Sequence, residues 1–509
     1  MHKLIQITSF TLLSAVFLGG AKLLFPSSQF RTSQAFYLYF FGLPLFITGI
    51  ILLTRKHYLD WLASFLLFFL PFVGLTIPPR RYGFSGVSVI ACFLLLMLVH
   101  RKIAGIENIR VFPHAFAWLG ILSVLPAVCF SEFMEVSLLS LAQILCYYVI
   151  FIVFNHLARL QGWPQKMLTA IMIGVVVAAL MILFERITGL DPSLTHHPRK
   201  AAQIGGVAIQ RCSGVFQDPQ KAAQFLASFG TLLLFLLIRK TDMDGKMRKL
   251  AFGAVVLSWP ALLLTMTRAS IYSAAAIGVL GLVLLNRLTL FKKISLWMFI
   301  VAVASGIMLT DVKTLKSVLP KSFAARMDKS LESADGRVEI WKKSMYVLNS
   351  SPIAGIGPGA YADFLIKNDS YMRELKESGF NQKVPTMPES GYLKIVYETG
   401  IVGATGTFLV LLIPIGIGIL KFVGTKSRNT RSILIAGFAG LAVFLGTSVT
   451  VFSLSDSRNA LCAILLMIII LHAEKFDFGS SSAHFSQGSA KAKLHCGVTE
   501  PPQVLEEAG

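Results

Sequence analysis

The sequence predicts an all-α polytopic membrane protein with about 14 transmembrane helices and a large outer loop that carries an amphipathic helix. Three observations lead there. Of 509 residues, 55% are hydrophobic and only 14% are charged, against about 25% charged in a soluble chain of ordinary composition. The charges cluster and leave uncharged runs of roughly 18–22 residues, long enough to cross a bilayer as helices. Strong apolar/polar alternation is absent, which disfavours a transmembrane β-barrel.

The length rule places spans at 4–25, 35–54, 59–78, 83–100, 113–130, 137–158, 167–185, 222–238, 249–266, 270–290, 294–310, 400–420, 432–453 and 459–473. The first run lacks a small-x-small cleavage site, so it reads as a retained span and not a signal peptide. Cations gather in alternate connections: Arg55/Lys56, Arg101/Lys102/Arg110, Arg159/Lys166, Arg239/Lys240/Lys246/Arg248/Lys249, Arg287/Lys292/Lys293 and Lys421/Lys426/Arg428/Arg431. The connection around Glu132 and Glu135 holds none. Basic short loops stay cytoplasmic, so both termini are expected on the cytoplasmic side. The polytopic domain is read as 1–473, and the serine-, glycine- and lysine-rich residues 474–509 as a disordered tail.

Two long segments, 186–221 and 311–399, fall on the outer side, and both are basic. Long loops cross regardless of charge. A basic surface beside the outer leaflet suits an anionic partner such as a phosphate, or simply anionic membrane lipid headgroups. Nothing points to nucleic acid. The six cysteines show no paired spacing, and no metal-ligand cluster is evident, so no metal or cofactor is expected.

Four polar stretches interrupt the oil. In the first, Val338, Trp341, Met345 and Leu348 share one helical face, with Arg337, Glu339, Lys342 and Lys343 over much of the rest. That is an interfacial helix, and Trp341 suits the headgroup level. It runs into GIGPG, Gly355 to Gly359, where no preceding strand supports a nucleotide loop. A tight turn with close backbone approach is the expectation. The second, IQRCSGVFQDPQKAAQFL, sets Arg211 before a turn and Pro219 at a helix start. The third, LTMTRASIY, leaves Arg268 at a span end, where snorkelling is the alternative account. In the fourth, PESGYLKIVYETGIVG, Glu389 and Ser390 stand at the mouth of a following helix, where a carboxylate is often a cap. Lys394 and Glu398 are spaced to pair.

Together these stretches resemble the O-antigen ligase / Wzy-type O-antigen polymerase superfamily. Its R-x-S/C-G-x-F-x-x-P pattern matches Arg211, Ser213, Gly214, Phe216 and Pro219. Its T-x-S/T-R-G/A pattern matches Thr265, Thr267, Arg268 and Ala269. Its R-x-x-x-W…P-x-x-G-x-G-x-G-x-F/Y pattern matches Arg337, Trp341, Pro352, Gly355, Gly357, Gly359 and Tyr361, and its Y-L…E-x-G-x-x-G pattern matches Tyr392, Leu393, Glu398, Gly400 and Gly403. The related part spans roughly 205–420. One departure stands out. Ligases of the family place a histidine before the Tyr-Leu pair, and here that position is Glu389, with no histidine anywhere in 311–399. Outer-side histidines occur only at His196 and His197.

The resemblance implies a GT-C-like membrane glycosyltransferase of the bacterial inner membrane, active on its periplasmic face without metal. Its donor would be an undecaprenyl-diphosphate-linked glycan and its acceptor a glycan or lipid A-core hydroxyl. Arg211, Arg268 and Arg337 would hold the diphosphate, Glu389 would serve as general base, and Tyr392 would orient the acceptor. The departure at Glu389 favours an O-antigen or exopolysaccharide polymerase. Ligation to lipid A core, protein O-oligosaccharyl transfer and, in a different class, polysaccharide flipping remain the alternatives. One large asymmetric outer loop argues against the repeated halves common in transporters.

Overall fold

The computed structural model describes residues 115–190, 192, 201–204, 207–216, 218–239, 241–285, 347–368, 390–451 and 457–476, with isolated positions at 63–64, 66–68, 71, 91, 94, 341, 345, 388 and 454. The spans expected at 4–25, 35–54 and 294–310 lie outside the described residues, as do Arg337 and Glu389. Within 59–78 and 83–100 only a few positions are described, and Ala63, Leu66, Leu67, Ala91 and Leu94 are helical and buried.

Ten α-helices are described: α1 Ala115–Cys129, α2 Met134–Leu157, α3 Trp163–Thr188, α4 Pro219–Ile238, α5 Gly245–Leu264, α6 Arg268–Leu285, α7 Tyr361–Asn368, α8 Gly391–Gly424, α9 Arg428–Ser448 and α10 Ser457–Leu471. Among the described residues, six (α2, α3, α4, α5, α8 and α9) are long and apolar enough to cross a membrane. By length and composition, six such helices are the mark of a multi-pass membrane protein.

Local chemistry sets the boundaries. Asp218 caps α4 by accepting from Gln220 N–H at 2.9 Å, with Pro219 at the first helical position. Asp244 caps α5 at Met247 N–H, Ser427 caps α9 at Thr430 N–H, and Ser390 caps α8 at Leu393 N–H. Such caps are each worth about 1 kcal/mol.

Three expectations are corrected. The segment 186–221 is not simply a loop: β1 Ala201–Ile204 pairs antiparallel with β2 Val207–Gln210, Ile204 opposite Val207 across Gly205-Gly206. The described chain is therefore helical apart from one short hairpin. The span expected at 400–420 begins nine residues earlier, because Ser390 caps a polar first turn that hydropathy alone passes over. The tail boundary also moves, since Ala473–Phe476 forms a 3-10 turn with Phe476 buried.

α8 is 34 residues long, roughly 51 Å if straight, against about 30 Å of hydrocarbon. It is not one helix. Gly400 takes φ 63°, ψ −172°, and divides it into a short first arm and a longer apolar span. α8 packs on α1, α4 lies between α5 and α9, and α3 packs on α5. Between lipid-embedded helices this packing, not expulsion from water, drives association.

The connections sort to two ends. Asp242 N–H donates to Asn429 Oδ1 at 3.1 Å, and Lys421 pairs with Glu474 at 2.9 Å. This end gathers Arg239, Lys246, Arg248, Lys249, Lys421, Lys426, Arg428 and Arg431. The opposite end gathers 130–133, 211–216, 218, 265–267, 351–360, 388, 390, 449–451 and 454, and every described candidate site residue stands there.

Candidate active site at one end of the bundle

Arg211 leaves the hairpin and enters a turn that closes as a 3-10 element, Gly214–Phe216. Its half-buried guanidinium reaches the α5–α6 junction. Nε donates to the Thr265 carbonyl at 3.0 Å and an Nη donates to Thr267 Oγ1 at 2.9 Å. Cys212 N–H donates to the Leu264 carbonyl at 3.3 Å. The junction itself is bent. Met266 has φ 51°, a left-handed conformation that costs a bulky residue on the order of 1–3 kcal/mol. That bend turns the Thr265 carbonyl and the Thr267 hydroxyl toward one guanidinium. Thr267 Oγ1 also donates to the Pro219 carbonyl at 3.2 Å. The structure thus joins the Arg-Cys-Ser-Gly turn to the Thr-Met-Thr-Arg turn, as two separate sequence patterns could not reveal. Arg268 opens α6 and is exposed.

The turn is held from both sides. Glu185, 3% exposed in the last turn of α3, accepts from Ser213 N–H at 2.8 Å and Gly214 N–H at 2.7 Å. Arg458, 1% exposed at the start of α10, donates to the Val215 carbonyl at 2.7 Å and the Phe216 carbonyl at 3.1 Å, its guanidinium 4.5 Å from the Phe216 ring centroid. Sequence reasoning missed both residues. The length rule set each at the edge of a span, although a charge adjoining an apolar run is itself a signal.

A second group forms around the break in α8. Freed helix groups pair with the glycine turn: Ile356 N–H donates to the Tyr397 carbonyl at 3.2 Å and Gly357 N–H to the Glu398 carbonyl at 2.9 Å. In return Ile401 N–H donates to the Pro352 carbonyl at 3.0 Å and Val402 N–H to the Ile353 carbonyl at 3.3 Å. The turn is spliced into the helix, so each of these backbone groups has a partner. Gly355 carries φ 78°, and a Cβ there would meet Gly400 N and Glu398 O. Gly355→Ala is expected to destabilise the folded protein by about 1–3 kcal/mol from the backbone conformation alone. Thermal unfolding in detergent reads this, and an unchanged midpoint would show that the splice is dispensable.

Glu398 sits at the centre of this junction. Its Oε1 lies 3.3 Å from Lys394 Nζ, the pairing expected from their spacing, and 3.4 Å from Tyr361 N–H. The described part of the amphipathic helix is helical at Trp341, Met345 and 347–350. Trp341 Nε1 donates to the Pro388 carbonyl at 2.8 Å, and Tyr397 Oη donates to the Trp341 carbonyl at 3.5 Å. Trp341 thereby ties that helix to the α8 entry. Tyr392 Oη donates to the Leu445 carbonyl at 2.6 Å and its ring meets Phe408 edge-on. The hydroxyl is engaged as a donor, while its oxygen keeps lone pairs able to accept.

Between α1, α2, α8 and α10 lies a cavity of about 270 Å³ with mostly apolar walls, including Phe116, Phe151 and Leu411. Its polar lining includes Ser140, Gln143, Lys394 and Glu398. Tyr147, also on its wall, donates to Ser457 Oγ at 3.3 Å, next in sequence to Arg458. The cavity and the Arg211 turn therefore meet at the start of α10. Among the described residues no cluster of His, Cys, Asp and Glu could hold a metal.

Residues 253–408 match the family model described as O-antigen ligase. Over this segment the chain is similar to the O-antigen ligase/polymerase superfamily. No curated protein matches it. Members of the superfamily are membrane glycosyltransferase-like enzymes of ligase or polymerase type, which implies a lipid-linked glycan and a glycan acceptor. The O-antigen ligase segment includes Arg268, Arg337, the glycine turn, Glu389, Tyr392 and Glu398. Arg211, Glu185 and Arg458 lie outside it, and it is the fold that brings them to the same end of the bundle.

Proposed function

We propose that this protein transfers an undecaprenyl-diphosphate-linked oligosaccharide to an acceptor hydroxyl at the periplasmic face of the inner membrane, as an O-antigen or exopolysaccharide polymerase. The observation that carries the reading is the convergence of Arg211, the Arg268 helix start and the α8 entry at the end opposite the basic connections.

The acceptor oxygen attacks the anomeric carbon, the bond from that carbon to the diphosphate oxygen breaks, and the hydroxyl proton passes to Glu389. Diphosphate leaves readily once its charge is held. Arg211, Arg268 and Arg337 supply planar guanidinium donors that match phosphate geometry. A site at the membrane interface leaves the donor's lipid tail in the bilayer. Glu389 takes the place that histidine holds in the ligases, and a carboxylate is a competent general base when partly desolvated. Tyr392 orients the acceptor through its remaining lone pairs.

Deletion in the native host, followed by gel analysis of surface glycans, tests the reaction. A polymerase gives loss of long chains with one repeat still attached to core. Loss of all attached repeats, with polymer accumulating on the lipid carrier, makes the protein a ligase instead. Loss of all attached repeats, with single unpolymerised units retained on the lipid carrier, would favour a flippase.

Sidedness is tested separately. Basic connections stay cytoplasmic, so a cysteine at Ser370 is expected to react with a membrane-impermeant maleimide in outer-membrane-permeabilised cells, and one at Ser427 is not. The opposite labelling would invert the site to the cytoplasmic face.

A further inference from the structure

Glu185 and Arg458 are both placed against the preferences of their helices. A carboxylate in the last turn of α3 faces the negative end of that helix dipole, and a guanidinium in the first turn of α10 faces a positive one. Both are also desolvated, at 3% and 1% exposed, and burying a charge costs several kcal/mol unless its partners are well placed. Helix stability does not account for either residue. What they have in common is one six-residue turn. Glu185 takes the N–H groups of Ser213 and Gly214, and Arg458 takes the carbonyls of Val215 and Phe216. Opposite charges thus grip consecutive halves of the same backbone, and each grip matches the polarity of the groups it holds. The Ser213 and Gly214 N–H groups are occupied by the protein's own carboxylate, so these two donors are not open to an incoming anion.

We propose that Glu185 and Arg458 are positioning residues: a two-ended clamp that fixes the Arg211 turn, and through it the guanidinium that meets the donor diphosphate. The last clause rests on the function proposed above; the clamp itself does not. Arg211 is the first residue of the gripped turn, and its guanidinium bonds to Thr265 and Thr267 at the α5–α6 junction. Loosening the turn shifts Arg211 relative to that junction. A displacement of about 1 Å in a positioning element can cost 10²-fold in rate.

The chain carries a probe at the right place. Cys212 lies within the turn and is 1% exposed; Cys146 and Cys462 are buried elsewhere in the bundle. The test uses full-length protein in detergent with Glu185→Gln and Arg458→Lys, substitutions that keep size and some hydrogen bonding. N-ethylmaleimide modification of each cysteine is followed by mass spectrometry, and each variant is returned to the deletion strain for surface-glycan analysis. The expected result is modification of Cys212 about tenfold faster or more, with Cys146 and Cys462 as protected as in the parent, and loss of long glycan chains. Cys212 protection equal to the parent in both variants overturns the clamp. So does simultaneous exposure of all three cysteines, which marks a general structural role. If Glu185→Gln does not accumulate, Arg458→Lys alone decides by the same criteria. Selective Cys212 exposure with normal glycans supports the clamp and instead removes Arg211 from the donor site. Normal glycans in Arg211→Ala report that second failure independently.

Discussion

Glu389→Gln is expected to lower turnover of lipid-linked repeat units by about 10²–10⁴-fold while donor binding survives. Glutamine keeps the shape and much of the hydrogen bonding of glutamate but cannot take a proton from the acceptor. The competing explanation for a carboxylate at a helix mouth is capping. In this fold the cap of α8 is Ser390, whose Oγ accepts from Leu393 N–H, and the preceding Pro388 carbonyl is taken by the Trp341 indole. The capping role at this helix entry is thus taken by Ser390. Glu389→His is expected to retain part of the activity, since imidazole is a competent base near neutral pH. A capping role predicts a different pattern: Glu389→Asp or Asn would cost about 1 kcal/mol in stability and leave turnover nearly intact. Near-normal turnover of well-folded Glu389→Gln on carrier-linked repeats purified from the deletion strain would end the base assignment.

What the sequence shows and hides follows from the range of the interactions involved. The apolar runs and the Asp218-Pro219 helix start are local, and the helices of α2 to α5 fall close to where length and capping place them. The glycines of GIGPG announce close backbone approach, yet their partner is the break at Gly400 in a different helix, and nothing local encodes that pairing. Hydropathy finds the lipid-crossing half of α8 but not its polar arm, because Lys394 and Glu398 interrupt the run while pairing with each other out of water. The hairpin has a local signal, two short segments around Gly205-Gly206, which is easily overlooked inside a stretch read as loop. Glu185 and Arg458 were least legible. Each adjoins an oily run, where a charge reads as a span boundary, and their shared target becomes visible only when α3 and α10 meet across the Arg211 turn.

Arg211→Ala is expected to reduce activity by about 10- to 150-fold, corresponding to roughly 1.5–3 kcal/mol for a lost charge-assisted contact to a desolvated phosphate. Lysine should rescue it poorly. Arg211 uses Nε and an Nη together, one on the Thr265 carbonyl and one on Thr267 Oγ1, and that planar fork fixes the plane it offers to an anion. A lysine ammonium is a single point of charge and cannot reproduce both bonds while facing a phosphate. Thr267→Val provides the internal control. It removes one leg of the fork and leaves the charge, so activity should fall by less than in Arg211→Ala. Combining the two substitutions should add little, because both act through one guanidinium. Arg268 is expected to be the more tolerant arginine, since it is exposed at the start of α6 and solvent screens its contribution. Full activity of Arg211→Ala at normal expression would remove this residue from the diphosphate site. Greater loss in Arg268→Ala than in Arg211→Ala would move the anion toward the helix start of α6, where backbone N–H groups and the dipole also favour it.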